Sequence, residues 1–117
     1  MALTPEGKVK VRVRKILHES GTWWYMPIGT GIGSRNGVPD FLCCYRGVLI
    51  GIETKAGRNK ATALQMAELR SIYKAGGCAL IVNETNIEDV VKALEAVDAK
   101  ERYTNIPTLK EVEHGDI

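Results

Sequence analysis

Two strand-like runs, residues 40–45 and 48–55, meet at Arg46-Gly47, and this junction restricts the chain more than any other feature. A two-residue connection with Gly supplying a positive φ is the signature of a tight β-hairpin. With Tyr45 facing Val48, each step outward keeps the pairing, so Asp40 falls opposite Glu53. Directly opposed residues have Cβ atoms about 4.5–5.5 Å apart on one face of the sheet. Lys55, two residues past Glu53, projects to that face as well. A three-residue loop would slip the register and separate the acids. Between the turn and the acids the hairpin is apolar on both sides: Phe41, Cys43, Tyr45, Val48, Ile50 and Ile52 on one, Leu42, Cys44 and Leu49 on the other. Such strands are expected to be central and covered on both faces.

The flanking segments supply the covering elements. Thr4-Pro5-Glu6 combines an N-cap, a proline at the first helical position and an acid in the first turn. Val9, Val13, Ile16 and Leu17 follow at helical spacing, and Gly21 ends the segment. Residues 8–14 also alternate polar and apolar as a strand would, but the cap and the Ile16-Leu17 pair decide for helix. Residues 22–26 predict a short aromatic strand, 28–38 a glycine-rich loop, 62–75 a helix, 78–82 a buried strand and 87–97 an amphipathic helix. The order α-β-β-β-α-β-α predicts an α/β fold, a mixed β-sheet flanked by helices. At 117 residues, 44% hydrophobic and 26% charged, the chain has the size of one compact domain. That domain is expected over 1–102, with residues 103–117 as a tail.

No apolar run approaches the roughly 18–20 residues of a membrane span, and the first ten residues lack a signal-peptide core, so a cytoplasmic protein is expected. Cys43, Cys44 and Cys78 lie in apolar runs without C-x-x-C spacing and read as buried thiols. His18 and His114 are too few and too far apart for a zinc site.

Charge is unevenly distributed. Residues 1–83 contain 12 Lys and Arg against 5 Asp and Glu, and residues 84–117 contain 4 against 9, so +7 and −5 make up the net +2. A basic N-terminal part attracts polyanions through counterion release, although a solvated helix face accounts for the same charges. Two juxtaposed acids in a partly desolvated site need a compensating cation, and hard oxygen ligands point to Mg²⁺ or Mn²⁺. Lys55 supplies part of that charge and is placed to act on a water or a phosphate oxygen. Taken singly, Asp40 reads rather as a turn residue, and Glu53 with Lys55 as an ion pair at a strand end; only the joint arrangement favours a site.

Gly37-Val38-Pro39-Asp40, then Glu53-Thr54-Lys55, then Gln65 in the next helix, resembles the PD-(D/E)XK nuclease superfamily, and within it the stand-alone virus-type replication-repair nucleases, the VRR-NUC family. The similarity covers about residues 4–82. The resemblance implies a PD-(D/E)XK restriction-endonuclease-like core and Mg²⁺- or Mn²⁺-dependent hydrolysis of DNA phosphodiester bonds by a homodimer of phage or bacterial replication and repair. Branched DNA such as Holliday junctions is the implied substrate. Asp40 and Glu53 would hold the metal with the backbone carbonyl of Thr54, and Lys55 would activate water. Glu6 would either complete the metal site or position Lys55, and Gln65 would support the lysine and metal shell. Lys8, Lys10, Arg12, Arg35, Arg58 and Lys60 are the expected DNA contacts. The competing classes are a non-cleaving DNA-binding module of the same fold and a structural protein whose acids merely decorate a sheet edge.

Three features admit plainer readings. Thr62 and Gln65 form a capping box that satisfies both residues locally. Gly29, Gly31, Gly33 and Gly37 hint at a phosphate cradle, but Ser34 stands where G-x-G-x-x-G needs glycine, so no nucleotide cofactor is expected. The segment reads either as a loop that closes over DNA, with Arg35 on phosphate, or as a connector. Trp23, Trp24 and Tyr25 either stack on bases or seal a subunit interface, and the alternation favours the core for Trp23 and Tyr25, with Trp24 packing elsewhere.

Overall fold

The computed structural model describes residues 3–28 and 35–107. Helix α1 (Pro5–Glu19) begins at Thr4, whose side chain accepts from Gly7 N–H at 3.0 Å. It is followed by β1 (Trp23–Tyr25), β2 (Phe41–Tyr45), β3 (Val48–Thr54), α2 (Ala63–Lys74), β4 (Cys78–Val82) and α3 (Glu88–Asp98). The strands form a single sheet in the order β1-β2-β3-β4, antiparallel except for the parallel β3–β4 pair. This is the mixed sheet expected from the sequence, and the strand tendency of residues 8–14 loses to the helix that buries Val9, Val13 and Leu17.

The hairpin register agrees with the sequence reading. Tyr45 pairs with Val48 and Phe41 with Ile52. Arg46 and Gly47 both have positive φ, 49° and 84°, the conformation that matches a two-residue connection to the twist of the strands.

One face of the sheet packs Phe41, Cys43, Ile50, Ile52, Cys78, Leu80 and Val82 against α1 and α3 in the main core. On the other, Leu69, Met66 and Tyr73 of α2 meet Ala79 and Ile81. α2 does not reach across the whole second face. Leu49 is 44% exposed, Cys44 is exposed and Leu42 is half-buried. The expectation of strands covered on both sides is corrected here, because one 12-residue helix covers the β3–β4 half and leaves β1–β2 open. Cys44 is correspondingly an exposed thiol, unlike Cys43 and Cys78.

The aromatic strand is reversed from expectation. Trp24 packs inward on Phe41 with ring centroids 5.9 Å apart, while Trp23 and Tyr25 are 64% and 52% exposed. The register sets Trp23 and Tyr25 beside Cys44 and Leu42, on the face α2 leaves open. A groove there is lined by Tyr25, Leu42, Leu49, Ile72 and the backbone run from Arg35 to Pro39, and contains none of Asp40, Glu53 or Lys55.

Residues 103–106, within the expected tail, lie along the outer edge of β4. Thr104 forms a parallel bridge with Ala79, and the Asn105 side chain accepts from Ile81 N–H and donates to Ile81 C=O, both at 2.8 Å. Residues 108–117 of that segment are outside the described residues, as are Gly29, Gly31, Gly33, Ser34 and His114. Among the described residues no helix is long and apolar enough to cross a membrane.

Candidate active site

Asp40 immediately precedes β2, and one further step of the observed register sets it opposite Glu53 at the end of β3. The backbone before it is fixed by Gly37. Its φ is +87°, and a Cβ there would stand 2.6 Å from the carbonyl carbon and oxygen of Leu64. A side chain would therefore push this segment off the start of α2, which is why the run into Asp40 needs glycine at that point.

Asp40 is tied to β3 by its Oδ2, which accepts from Thr54 N–H at 3.0 Å and from the Thr54 hydroxyl at 2.5 Å. Thr54 is fully buried. Its hydroxyl is a site contact that the sequence reading, which assigned only the backbone carbonyl, did not find; the signal was present in the middle residue of Glu53-Thr54-Lys55.

Glu53 is 2% exposed. Its Oε2 lies 3.4 Å from Lys55 Nζ, and its Oε1 is buried without a hydrogen-bond partner. Burial, reinforced by the charge of Asp40 and only partly offset by Lys55 and by a backbone hydrogen bond from Asp40, pushes the carboxyl up to about 7. A buried carboxylate oxygen with no donor costs free energy in proportion to its charge. A neutral carboxyl or a bound cation relieves that cost.

Lys10 completes the charge arrangement from α1, with Nζ 3.2 Å from Glu6 Oε2 and 4.0 Å from Asp40 Oδ1. The neighbouring acids Asp40 and Glu53 thus lie between two ammonium groups, Lys10, which Glu6 also holds, and Lys55. The sequence reading placed Lys10 among DNA contacts and missed this position. Its helical spacing of four from Glu6 was the available signal. Glu6 engages Lys10 rather than Lys55, and no group of three or more His, Cys, Asp or Glu side chains converges for a metal among the described residues.

Gln65 enters the first turn of α2, where its Oε1 accepts from Thr62 N–H at 2.9 Å and its own N–H donates to Thr62 Oγ1 at 3.2 Å. The capping box is formed, and the side-chain oxygen is occupied by it. Arg35 is not free for phosphate as it stands, because it forms two hydrogen bonds with Glu68, at 2.6 and 3.0 Å. Lys8, Arg12, Arg58 and Lys60 are exposed. Arg58 and Lys60 follow Lys55 in a loop held by Glu84, which accepts from Gly57 N–H at 2.7 Å.

Comparison with known proteins bears on the fold that carries these residues. A solved structure described as a VRR_NUC domain superposes with a TM-score of 0.63 at 26% identity, over 80% of this chain and 97% of that one. The chain has the fold of a VRR-NUC nuclease domain. Its mixed sheet with flanking helices is the VRR-NUC fold that the motif residues implied. No family model matches the sequence, and no curated protein matches it either. The VRR-NUC likeness therefore rests on the solved structure and on the residues described above.

The residues present fit a divalent cation. Mg²⁺ characteristically takes one or two carboxylates and fills its octahedron with waters and substrate phosphate oxygens. Asp40 and Glu53 offer two carboxylates, of which Glu53 Oε1 is buried and unpartnered.

Proposed function

We propose that this domain is a Mg²⁺- or Mn²⁺-dependent DNA endonuclease whose site is Asp40, Glu53 and Lys55. The observation that carries the reading is the unpartnered, buried Glu53 Oε1 beside Asp40 and Lys55, since a folded chain keeps such an oxygen only at a cost that a cation removes. Asp40, Glu53 and the Thr54 carbonyl would hold the ion. When bound, a divalent cation polarises the phosphate and lowers the pKa of water.

The chain's own groups do the rest. Lys55 donates to the attacking water, orients it in line with the phosphorus and balances the charge gathered on the phosphoryl oxygens. Asp40 is held in a single orientation by Thr54, which spares the site reorganisation during the reaction. Glu6 acts through Lys10. Gln65 caps the helix packed behind Gly37 and supports the site by fixing that helix start. Lys8, Lys10, Arg12, Arg58 and Lys60 supply phosphate contacts, with Arg35 joining them on release from Glu68. The substrate class is branched DNA, four-way junctions included. A C2 homodimer, acting in a cytoplasm, would match the symmetry of such a junction.

The test is to incubate the protein with linear duplex, single-stranded, flap and four-way junction DNA, with and without Mg²⁺ or Mn²⁺, beside Glu53→Ala and Lys55→Ala. Metal-dependent cutting lost in both variants is expected. Binding without cutting under every metal condition would establish the non-cleaving module instead.

A further inference from the structure

We propose that Lys10 is an exchangeable counter-ion of the catalytic acids: it occupies Asp40 in the metal-free protein and competes with the divalent cation for that carboxylate. The inference rests on the metal-site reading above and adds a residue to it.

The geometry assigns one oxygen of Asp40 to each task. Oδ2 is taken by the N–H and hydroxyl of Thr54, so Oδ1 is the oxygen available to a cation. Oδ1 is the oxygen Lys10 faces, at 4.0 Å. The Lys10 side chain is 28% exposed, so its charge is only partly screened by water. A divalent ion on Oδ1 and an ammonium group beside it repel strongly at such separation. Lys10 has somewhere to go: Glu6 Oε2, one helical turn back, already holds it at 3.2 Å and retains it without any movement of α1.

Lys55 is the contrasting case. It faces Glu53 Oε2 while Oε1 of the same carboxylate stays open, so ammonium and metal are accommodated on different oxygens. Lys10 and a metal have no such division at Asp40. Because coupling between two ligands of one site is reciprocal, an ion that weakens the Lys10 contact must itself be weakened by Lys10. Once turned off Asp40, the ammonium group keeps Glu6 and has donors left for an approaching phosphate, which makes the DNA contact expected of Lys10 conditional on metal.

The experiment is calorimetric titration of Mn²⁺ into wild type, Lys10→Met, Lys10→Arg and Lys15→Met at fixed pH and salt, without DNA. Lys10→Met should bind Mn²⁺ roughly fivefold tighter than wild type, the size expected for losing one part-buried ion-pair competitor. Lys10→Arg keeps the charge and Lys15→Met removes an exposed charge elsewhere on α1, so both should stay within about twofold of wild type. The Mn²⁺-induced rise in melting temperature should also be larger for Lys10→Met than for wild type. Unchanged or weaker Mn²⁺ binding by Lys10→Met overturns the proposal, as does a melting temperature lowered equally with and without Mn²⁺. If Lys10→Met does not fold, Lys10→Gln carries the same test. Wild type that binds no Mn²⁺ would remove the metal-site reading itself, an outcome distinct from the failure of Lys10 alone.

Discussion

Glu53 and Asp89 both leave water when the chain folds, and their surroundings treat them in opposite ways. Burial pushes the Asp89 carboxyl up, but Asn105 and Asn86, donating at 2.8 and 3.0 Å, outweigh it together with Tyr103 and the charge of Lys92, leaving the group below its ordinary value. Glu53 has one ammonium neighbour, the charge and one backbone N–H of Asp40, and an oxygen without a donor, and its carboxyl is pushed up to about 7. One acid is fully satisfied by the chain, and the other is left for something the chain does not contain. The Asp89 cluster ties α3 and residues 103–106 to β4, so it belongs to architecture, whereas Glu53 belongs to chemistry.

Glu53→Gln tests the comparison with the largest effect. It keeps shape and removes the charge, so metal-dependent cutting should fall on the order of 10³-fold while the fold persists by circular dichroism. Asp89→Ala should do the reverse. Stripping the acceptor from Asn86, Asn105 and Tyr103 should cost about 3 kcal/mol in urea unfolding and speed amide exchange around Ile81, yet leave the cutting rate of the folded fraction near that of wild type.

The pH dependence of stability separates the two acids further. Glu53 binds its proton more tightly folded than unfolded, so without metal the stability should fall as pH rises from about 4.5 to about 7, by roughly 3 kcal/mol, and then level off. Glu53→Gln should abolish that slope. Asp89 has the opposite sign, its contribution present above its unfolded pKa and lost as acid protonates the folded carboxyl. The smallest effect concerns Gln65, which sides with Asp89 as a group already engaged by the chain. Gln65→Ala should cost about 1 kcal/mol through the lost cap, with cutting retained below the melting transition.

Much of this was legible in the residues. The acids could be paired in advance because Arg46-Gly47 admits one connection length, and that length fixes every pair outward to Phe41 and Ile52. The caps at Thr4 and Thr62 were equally readable, being local hydrogen-bond chemistry. What escaped was set by long-range placement. Hydrophobic alternation separates the two faces of Leu42 and Leu49 from Phe41 and Ile50, but does not say how far a neighbouring helix extends over either. For the same reason alternation alone does not show that Trp23 and Tyr25 face outward. Residues 103–106 carry no periodicity, because they join the sheet through one bridge and side-chain-to-backbone bonds. Lys10 looked like any basic residue on a helix until the fold brought Asp40 to it.

The hairpin connection also makes the site vulnerable from a distance. Arg46 and Gly47 touch neither acid, yet they act as the reading frame for everything paired beyond them. One residue inserted at that tip would carry Asp40 to the wrong partner with all its atoms intact, silencing the chemistry by misalignment alone.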